Sequence, residues 1–155
     1  MSSETIVTAL FLISAVVAAG ILINSIFPAI YRTTNTFGSV SHEAEAQLRT
    51  DIRIVNTFAN ATTAKAWVKN VGSMRISANE LDESDIFVGA VGNFERIPLA
   101  GHYTIEGDGN SFWDPGETLS IMALSTKLPA TRGEYVYFSI VLPNGVKRSE
   151  EFTSS

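Results

Sequence analysis

The sequence contains no cysteine among its 155 residues. Disulfide bonds, thiol chemistry and cysteine-based zinc sites are therefore excluded. The absence says little about the cellular compartment, because many exported prokaryotic domains also lack cysteine.

Patterns typical of catalysis or nucleic-acid binding are missing too. Two histidines occur, His42 and His102, and the chain has neither a Gly-x-Ser-x-Gly nor a His-Glu-x-x-His motif. The net charge of -5 and the pI near 5.0 argue against nucleic-acid binding. We therefore expect a protein that is not an enzyme, has no catalytic residues and binds no nucleic acid.

Charged side chains are absent between Thr5 and Tyr31. A helix needs roughly 20 apolar residues to cross a bilayer, so the run predicts a single N-terminal span in the cytoplasmic membrane. Two alternatives fit less well. A cleaved signal peptide requires a basic residue ahead of its apolar core, and no Lys or Arg precedes Arg32. A buried helix of a soluble protein would have a polar face, which this run lacks. The flanking charges do not fix the orientation of the span.

Small residues within the run predict helix packing. Ser14 and Ala18, like Ala15 and Ala19, are four residues apart, and Gly20 lies beside them. Small side chains let helices approach closely in lipid, where packing drives association. We therefore expect a homo-oligomer that forms through this helix.

Glu4 is the one acid ahead of the apolar run. At a helix N-terminus its charge complements the helix macrodipole. It resembles the acidic residue near the mature N-terminus of type IV pilin-like subunits. The other interpretation is a simple helix cap formed with Ser2 or Ser3.

Residues 1–49 are predicted to form one transmembrane and stalk helix. Pro28 removes a backbone donor and should kink the helix near Asn24. Helical character then resumes, with a weak amphipathic stripe that includes Phe37 and Val40.

Residues 50–155 are predicted to form one β domain. The hydrophobic period changes to two, and six runs rich in β-branched and aromatic residues read as strands: 51–58, 64–70, 85–91, 117–124, 134–142 and 146–152. Asn144-Gly145 predicts a two-residue hairpin between the last two. The fold class is therefore mainly β with one long N-terminal α-helix, an immunoglobulin-like β-sandwich of about seven strands on a transmembrane stalk, with a pilin-like overall layout.

An acidic loop is the one candidate metal site. Five oxygen-bearing side chains fall within twelve residues, and calcium favours such hard ligands: Glu106, Asp108, Asn110, Asp114 and Glu117. Their spacing departs from that of an EF-hand, and an acidic surface loop with tight turns is the alternative. We expect no cofactor, with calcium as the alternative.

Asn60-Ala61-Thr62 is an N-glycosylation sequon, predicted in the loop between the first two strands. A glycan on Asn60 would place the domain outside the cytoplasm.

Three segments resemble the accessory archaellum proteins of the F/G type, the G proteins most closely: FLISAVVAAG in the helix, QLRTDIRIVN at the first strand and AWVKNVG in the second. The resemblance covers roughly residues 6–72. It implies a β-sandwich on the extracellular (pseudoperiplasmic) side of the cytoplasmic membrane. It also implies a structural role in the archaeal flagellum, as a stator element that links the motor to the S-layer and works with protein F or other archaellum subunits.

Two other functions remain open at this point. A pilin-like or archaellin-like filament subunit would pack its N-terminal helices in the core of an extracellular filament. A ligand-binding or sensory module would need a ligand-sized pocket.

Overall fold

A computed structural model of the protein describes residues 2–155, except for the side chains of residues 35–40. It begins with α1 (Ser3–Arg49), a 47-residue helix that continues through Pro28, and the long N-terminal helix is thereby confirmed. The kink near Pro28 stays a prediction, and the predicted stripe through Phe37 and Val40 lies outside the described residues. The chain forms two compact units, 1–43 and 44–155. The predicted division into domains after residue 49 also stays a prediction.

The second unit is an antiparallel β-sandwich, as predicted. Its elements, in chain order, are β1 (Ile52–Ala59), β2 (Thr63–Asn70), β3 (Ile76–Ser77), α2 (Ala78–Asp82), β4 (Asp85–Ala90), β5 (Asn93–Pro98), β6 (Tyr103–Glu106), β7 (Phe112–Trp113), β8 (Thr118–Leu124), β9 (Tyr135–Val141) and β10 (Lys147–Thr153). One sheet has the strand order β1-β2-β8-β6 and the other β10-β9-β4-β5, while β3 and β7 form a small pair.

The core lies between the two four-stranded sheets, because alternate side chains of each strand point inward. The first sheet contributes alanines and aliphatic residues from β2 and β8, and the second contributes Val136, Phe138 and Ile140 from β9. Trp113 is the largest fully buried side chain. Its indole Nε1–H donates to the Glu117 carbonyl over 3.0 Å, which satisfies the one polar group of the ring.

The number of strands exceeds the predicted seven, because short or polar strands carry a weak signal. β5 contains two charged residues and ends at Pro98, and β6 has four residues. Proline and charge are typical of edge strands, and both β5 and β6 lie at sheet edges. Their sequences therefore do not show the alternation that identifies the other strands.

The hairpin between β9 and β10 lies where the sequence predicts it, but the predicted two-residue length of its turn is wrong. The Leu142 amide donates to the Val146 carbonyl over 2.9 Å, so three residues form the loop. Gly145 has φ +84°, whereas no other residue type in the described part of the chain has positive φ. Proline fixes φ near -65°, which suits the first position of an ordinary turn, so the turn starts at Pro143. Asn144 then keeps a negative φ, and Gly145 is the one left-handed residue of the loop.

Candidate functional site

The apolar helix surface is the largest candidate interaction site. The segment Ser3–Thr34 is long and apolar enough to cross a membrane, and none of its most apolar window is buried. Large side chains are exposed along it, with Phe11 at 73% and Val16 at 72%. Contiguous exposed apolar surface of this extent marks a membrane or protein interaction site. The helix therefore fits a membrane anchor.

The small residues of α1 are open to such an interaction. Ser14, Ala15, Ala18 and Ala19 are exposed, and a Cβ on Gly20 would meet no atom within 4 Å. The Ser14 hydroxyl donates to the Leu10 carbonyl over 2.8 Å, so it is satisfied within the helix. These residues can accept a neighbouring helix, and their packing role stays a prediction.

If helices pack through these small residues, substitution by larger ones should reduce the oligomeric state. Replacing both Ala15 and Ala19 by Leu should weaken self-association of the full-length protein in detergent, because larger side chains keep the helix backbones apart. Ala9→Leu is the matched control, since it lies outside the two small-residue pairs. Sedimentation of the three proteins measures the effect, and an unchanged oligomer in the double variant would contradict it.

Glu4 lies in the first turn of α1 and is exposed. The first turn is closed by the Thr5 amide, which donates to the Ser2 carbonyl over 3.0 Å. The hydroxyls of Ser2 and Thr5 lie 3.0 Å apart. Both interpretations of Glu4, the pilin-like acid and the simple cap, stay predictions.

The acidic loop brings together three of the five predicted oxygen ligands. One carboxylate oxygen from each of Asp108, Asp114 and Glu117 lies within 4.8 Å of the others, and all three side chains are exposed or half-buried. Asn110 joins them indirectly, since its Nδ2 donates to Asp114 over 2.9 Å. Glu106, at the end of β6, does not belong to this group of three.

Protein donors already occupy the carboxylates of the acidic loop. Glu117 accepts from the Asp108 amide over 3.0 Å and from the Asp114 amide over 2.9 Å. A side chain at Gly107 would collide with the Glu117 carboxylate. Glu117 therefore joins the two ends of the loop, and a side chain at position 107 would displace its carboxylate.

Arg75 is the residue of this site that the sequence does not reveal. Its guanidinium donates to both oxygens of Asp114, over 2.8 and 3.0 Å, and lies 4.2 Å from the centre of the Phe112 ring. The hydrogen bond from Arg75, followed by that from Asn110, holds the pKa of Asp114 below its usual range. The pair is therefore fully stabilising above the ordinary aspartate pKa and weakens as the pH falls through the lowered one.

Because Arg75 supplies the positive charge, we expect calcium to have no effect on the wild-type protein. Addition of about 1 mM calcium, on the order of the dissociation constants of extracellular calcium modules, should leave the melting temperature of the full-length protein in detergent unchanged. Arg75→Gln removes the guanidinium and should create a calcium response, since three carboxylates then lack a cation. A rise in the wild-type melting temperature that a chelator reverses would instead favour calcium binding.

Asn60 lies in the turn between β1 and β2 and is exposed. Its Oδ1 accepts from the amides of Thr62 and Thr63, over 3.0 and 2.8 Å, which is an Asx-type turn. The sequon is therefore at an accessible hairpin tip, and its glycosylation stays a prediction.

An exposed apolar N-terminal helix joined to a cysteine-free antiparallel sandwich defines a class: β-sandwich proteins with a single long N-terminal helix. Within that class, the chain belongs to the archaeal-type flagellin family, whose model matches residues 2–152. The predicted relationship to archaellum proteins is confirmed. An uncharacterised protein of Archaeoglobus fulgidus is 31% identical over an alignment of 161 positions, which covers 99% of each chain.

Solved structures share the fold. The archaellum periplasmic stator protein FlaG of Sulfolobus acidocaldarius has a TM-score of 0.53 and 24% identity, over 66% of this chain and 99% of that one. The same organism's FlaF–FlaG stator complex has a TM-score of 0.52 and 24% identity, over 65% of this chain and 87% of that one. The flagellum of Methanospirillum hungatei has a TM-score of 0.69 and 16% identity, over 100% and 94%.

Proposed function

We propose that the chain is a membrane-anchored, non-enzymatic structural component of the archaellum, a stator element related to FlaG. The single observation that carries the proposal is the likeness of the sandwich to FlaG over 99% of that chain, in a member of the archaeal-type flagellin family. The helix would anchor in the cytoplasmic membrane. The sandwich would lie on the extracellular side and link the motor to the S-layer, together with a FlaF-type protein.

Two properties of the described residues support a static role. The apolar surface of α1 can hold the protein in a bilayer, and the sandwich has one continuous buried core, in which the Trp113 indole donates to the Glu117 carbonyl. The acidic loop uses its charges in internal hydrogen bonds and ion pairs. None of these features requires a bound cofactor.

A filament subunit is the second candidate, because the whole chain shares the fold of the Methanospirillum hungatei flagellum, although the likeness to FlaG favours the stator. In that case the α1 helices would pack in a filament core rather than in lipid. The two functions differ in where the protein is found, because a stator remains with the membrane when filaments are sheared off.

The experiment is fractionation of the native cells after shearing. The stator function predicts that the protein remains in the membrane fraction, that external protease digests residues 50–155, and that deletion of the gene abolishes rotation while other archaellum proteins are still made. Recovery of the protein as a main component of sheared filaments would support the filament alternative. A freely soluble protein would contradict both.

A further inference from the structure

The outer face of the sheet β1-β2-β8-β6 differs in charge from the rest of the protein. On an acidic chain, it presents three exposed cations, Arg53 from β1 and Lys65 and Lys69 from β2. Among the strand residues of this face, all of which the structure describes, Glu106 is the one acid. It is separated from Lys69 by Thr118 in the ladder, about 10 Å at the usual strand spacing.

Two of these cations are placed where they destabilise the fold. Arg53 and Lys69 are direct cross-strand partners in the β1–β2 ladder, and both are exposed. Like charges directly opposite each other on one face of a sheet are unfavourable. No ion pair joins Arg53, Lys65 or Lys69 to an acid in the described part of the chain, so the repulsion has no internal compensation.

Apolar side chains lie beside the lysines on the same face. Trp67 lies between Lys65 and Lys69, and across the ladder Met122 is 52% and Leu124 66% exposed. They line a groove of about 440 Å³ that also includes His102 and Thr104. An apolar centre with a charged rim is the usual anatomy of a protein-binding surface, and tryptophan and arginine are enriched where binding energy is concentrated.

The outer face of the other sheet also exposes aromatic groups, with Phe94 at 47%, but its side chains interact with one another. Its aromatic rings pack on one another, with ring centres 4.9 Å apart for Phe94 and Tyr137 and 6.2 Å for Phe87 and Phe94. Arg96 pairs there with Asp85 over 2.8 Å. The side chains of that face therefore largely contact one another. On the first face, the three cations have no acidic partner in the described part of the chain, and the aliphatic groups are exposed.

We propose that the outer face of β1-β2-β8-β6 is the docking surface for a partner protein that presents carboxylates around an apolar side chain. The carboxylates pair with Arg53, Lys65 and Lys69, and the apolar side chain enters the groove beside Trp67. The exposed apolar side chains of Met122 and Leu124 favour a protein over a carbohydrate. The proposal rests on the proposed function, because a static element must bind a second subunit.

The test measures binding of the full-length protein, in detergent, to the purified FlaF-type protein of the same organism. Wild-type binding should weaken as salt rises, because the rim charges steer association. The variant Lys65→Glu/Lys69→Glu should bind at least tenfold more weakly, and Leu124→Ser should also lose affinity. Arg132→Glu reverses an exposed arginine in the loop before β9; it has the same charge change as the single variant Lys69→Glu, is the matched control for that variant, and should bind like the wild type.

A second measurement separates a binding role from a folding role. Lys69 lies opposite Arg53, so the Lys69→Glu substitution replaces repulsion by attraction. The melting temperature of this variant should therefore be equal to or above that of the wild type, even as binding falls. A lower melting temperature with unchanged binding would overturn the proposal.

The other outcomes are distinct. If FlaF-type protein binds the wild type and both the double-glutamate and Leu124→Ser variants equally, the docking surface is wrong while the proposed function stands. If the wild type binds no FlaF-type protein, both are contradicted. If the lysines instead mediate binding to vesicles containing phosphatidylglycerol, or self-association of the pure chain, the proposed protein partner is overturned.

Discussion

Two arginines placed in the apolar run should release the protein from the membrane. Thirteen Leu, Ile, Val and Phe residues between Ile6 and Phe27 favour insertion by on the order of 4–8 kcal/mol. Each arginine at the centre of a spanning helix costs about 2.5–3.5 kcal/mol and also removes an apolar contribution. The variant Leu12→Arg/Val16→Arg therefore loses about 6–8 kcal/mol, enough to cancel the driving force for insertion.

The measurement is the fraction of full-length protein that stays in membranes after alkaline carbonate extraction. Thr33→Arg/Thr34→Arg is the matched control, because these exposed residues lie beside Arg32 at the end of the run, where long basic side chains reach the interface. The control should remain in the membrane, and the double variant at Leu12 and Val16 should be lost from it. Equal retention of the two variants would contradict membrane insertion of this helix.

The helix and the major strands could be predicted because their signals are local. An uncharged run of this length indicates a membrane-spanning helix from composition alone. Strands such as β2 alternate buried alanines with exposed lysines, which is the period of a half-buried strand. In both cases one short window of sequence contains the whole physical reason for the element.

The acidic loop was only partly predictable, because its decisive contact is not local. The clustering of Asp108, Asp114 and Glu117 follows from their proximity in sequence. Arg75 is 39 residues from Asp114 and reaches it because β3 pairs with β7, through Ile76 with Trp113 and Ser77 with Phe112. Two-residue strands have no periodicity, so neither the ladder nor the guanidinium in the loop can be inferred from spacing.

The docking surface required the strand register for the same reason. Lys65, Trp67 and Lys69 lie on one face by simple alternation, but their neighbours Met122 and Leu124 belong to a strand more than 50 residues later. The opposition of Arg53 and Lys69 also depends on the irregularity between Ile54 and Asn56 in β1. Counted from the turn between β1 and β2, this bulge adds one residue to β1, so the side chains of β1 beyond it change faces.

Truncation of Trp113 should bring the sandwich close to unfolding. The side chain is fully buried, and removal of a buried aromatic ring costs about 3–5 kcal/mol. Trp113→Ala also removes the indole donor from the Glu117 carbonyl, but that carbonyl keeps the Asn70 amide as a donor over 3.0 Å, so the lost ring dominates. This loss is a large part of the 5–15 kcal/mol that stabilises a typical domain.

Two further variants divide this loss into its parts. Trp113→Phe keeps most of the apolar ring but not the N–H, so it should cost distinctly less than the alanine variant. Tyr135→Ala removes an aromatic side chain that is 63% exposed and should change the free energy of unfolding by no more than about 0.5 kcal/mol. Chemical denaturation of the full-length proteins in detergent, followed by circular dichroism, gives the three values. If Trp113→Ala lowers the free energy of unfolding by less than about 1 kcal/mol, the ring does not hold β7 and the acidic loop against the core.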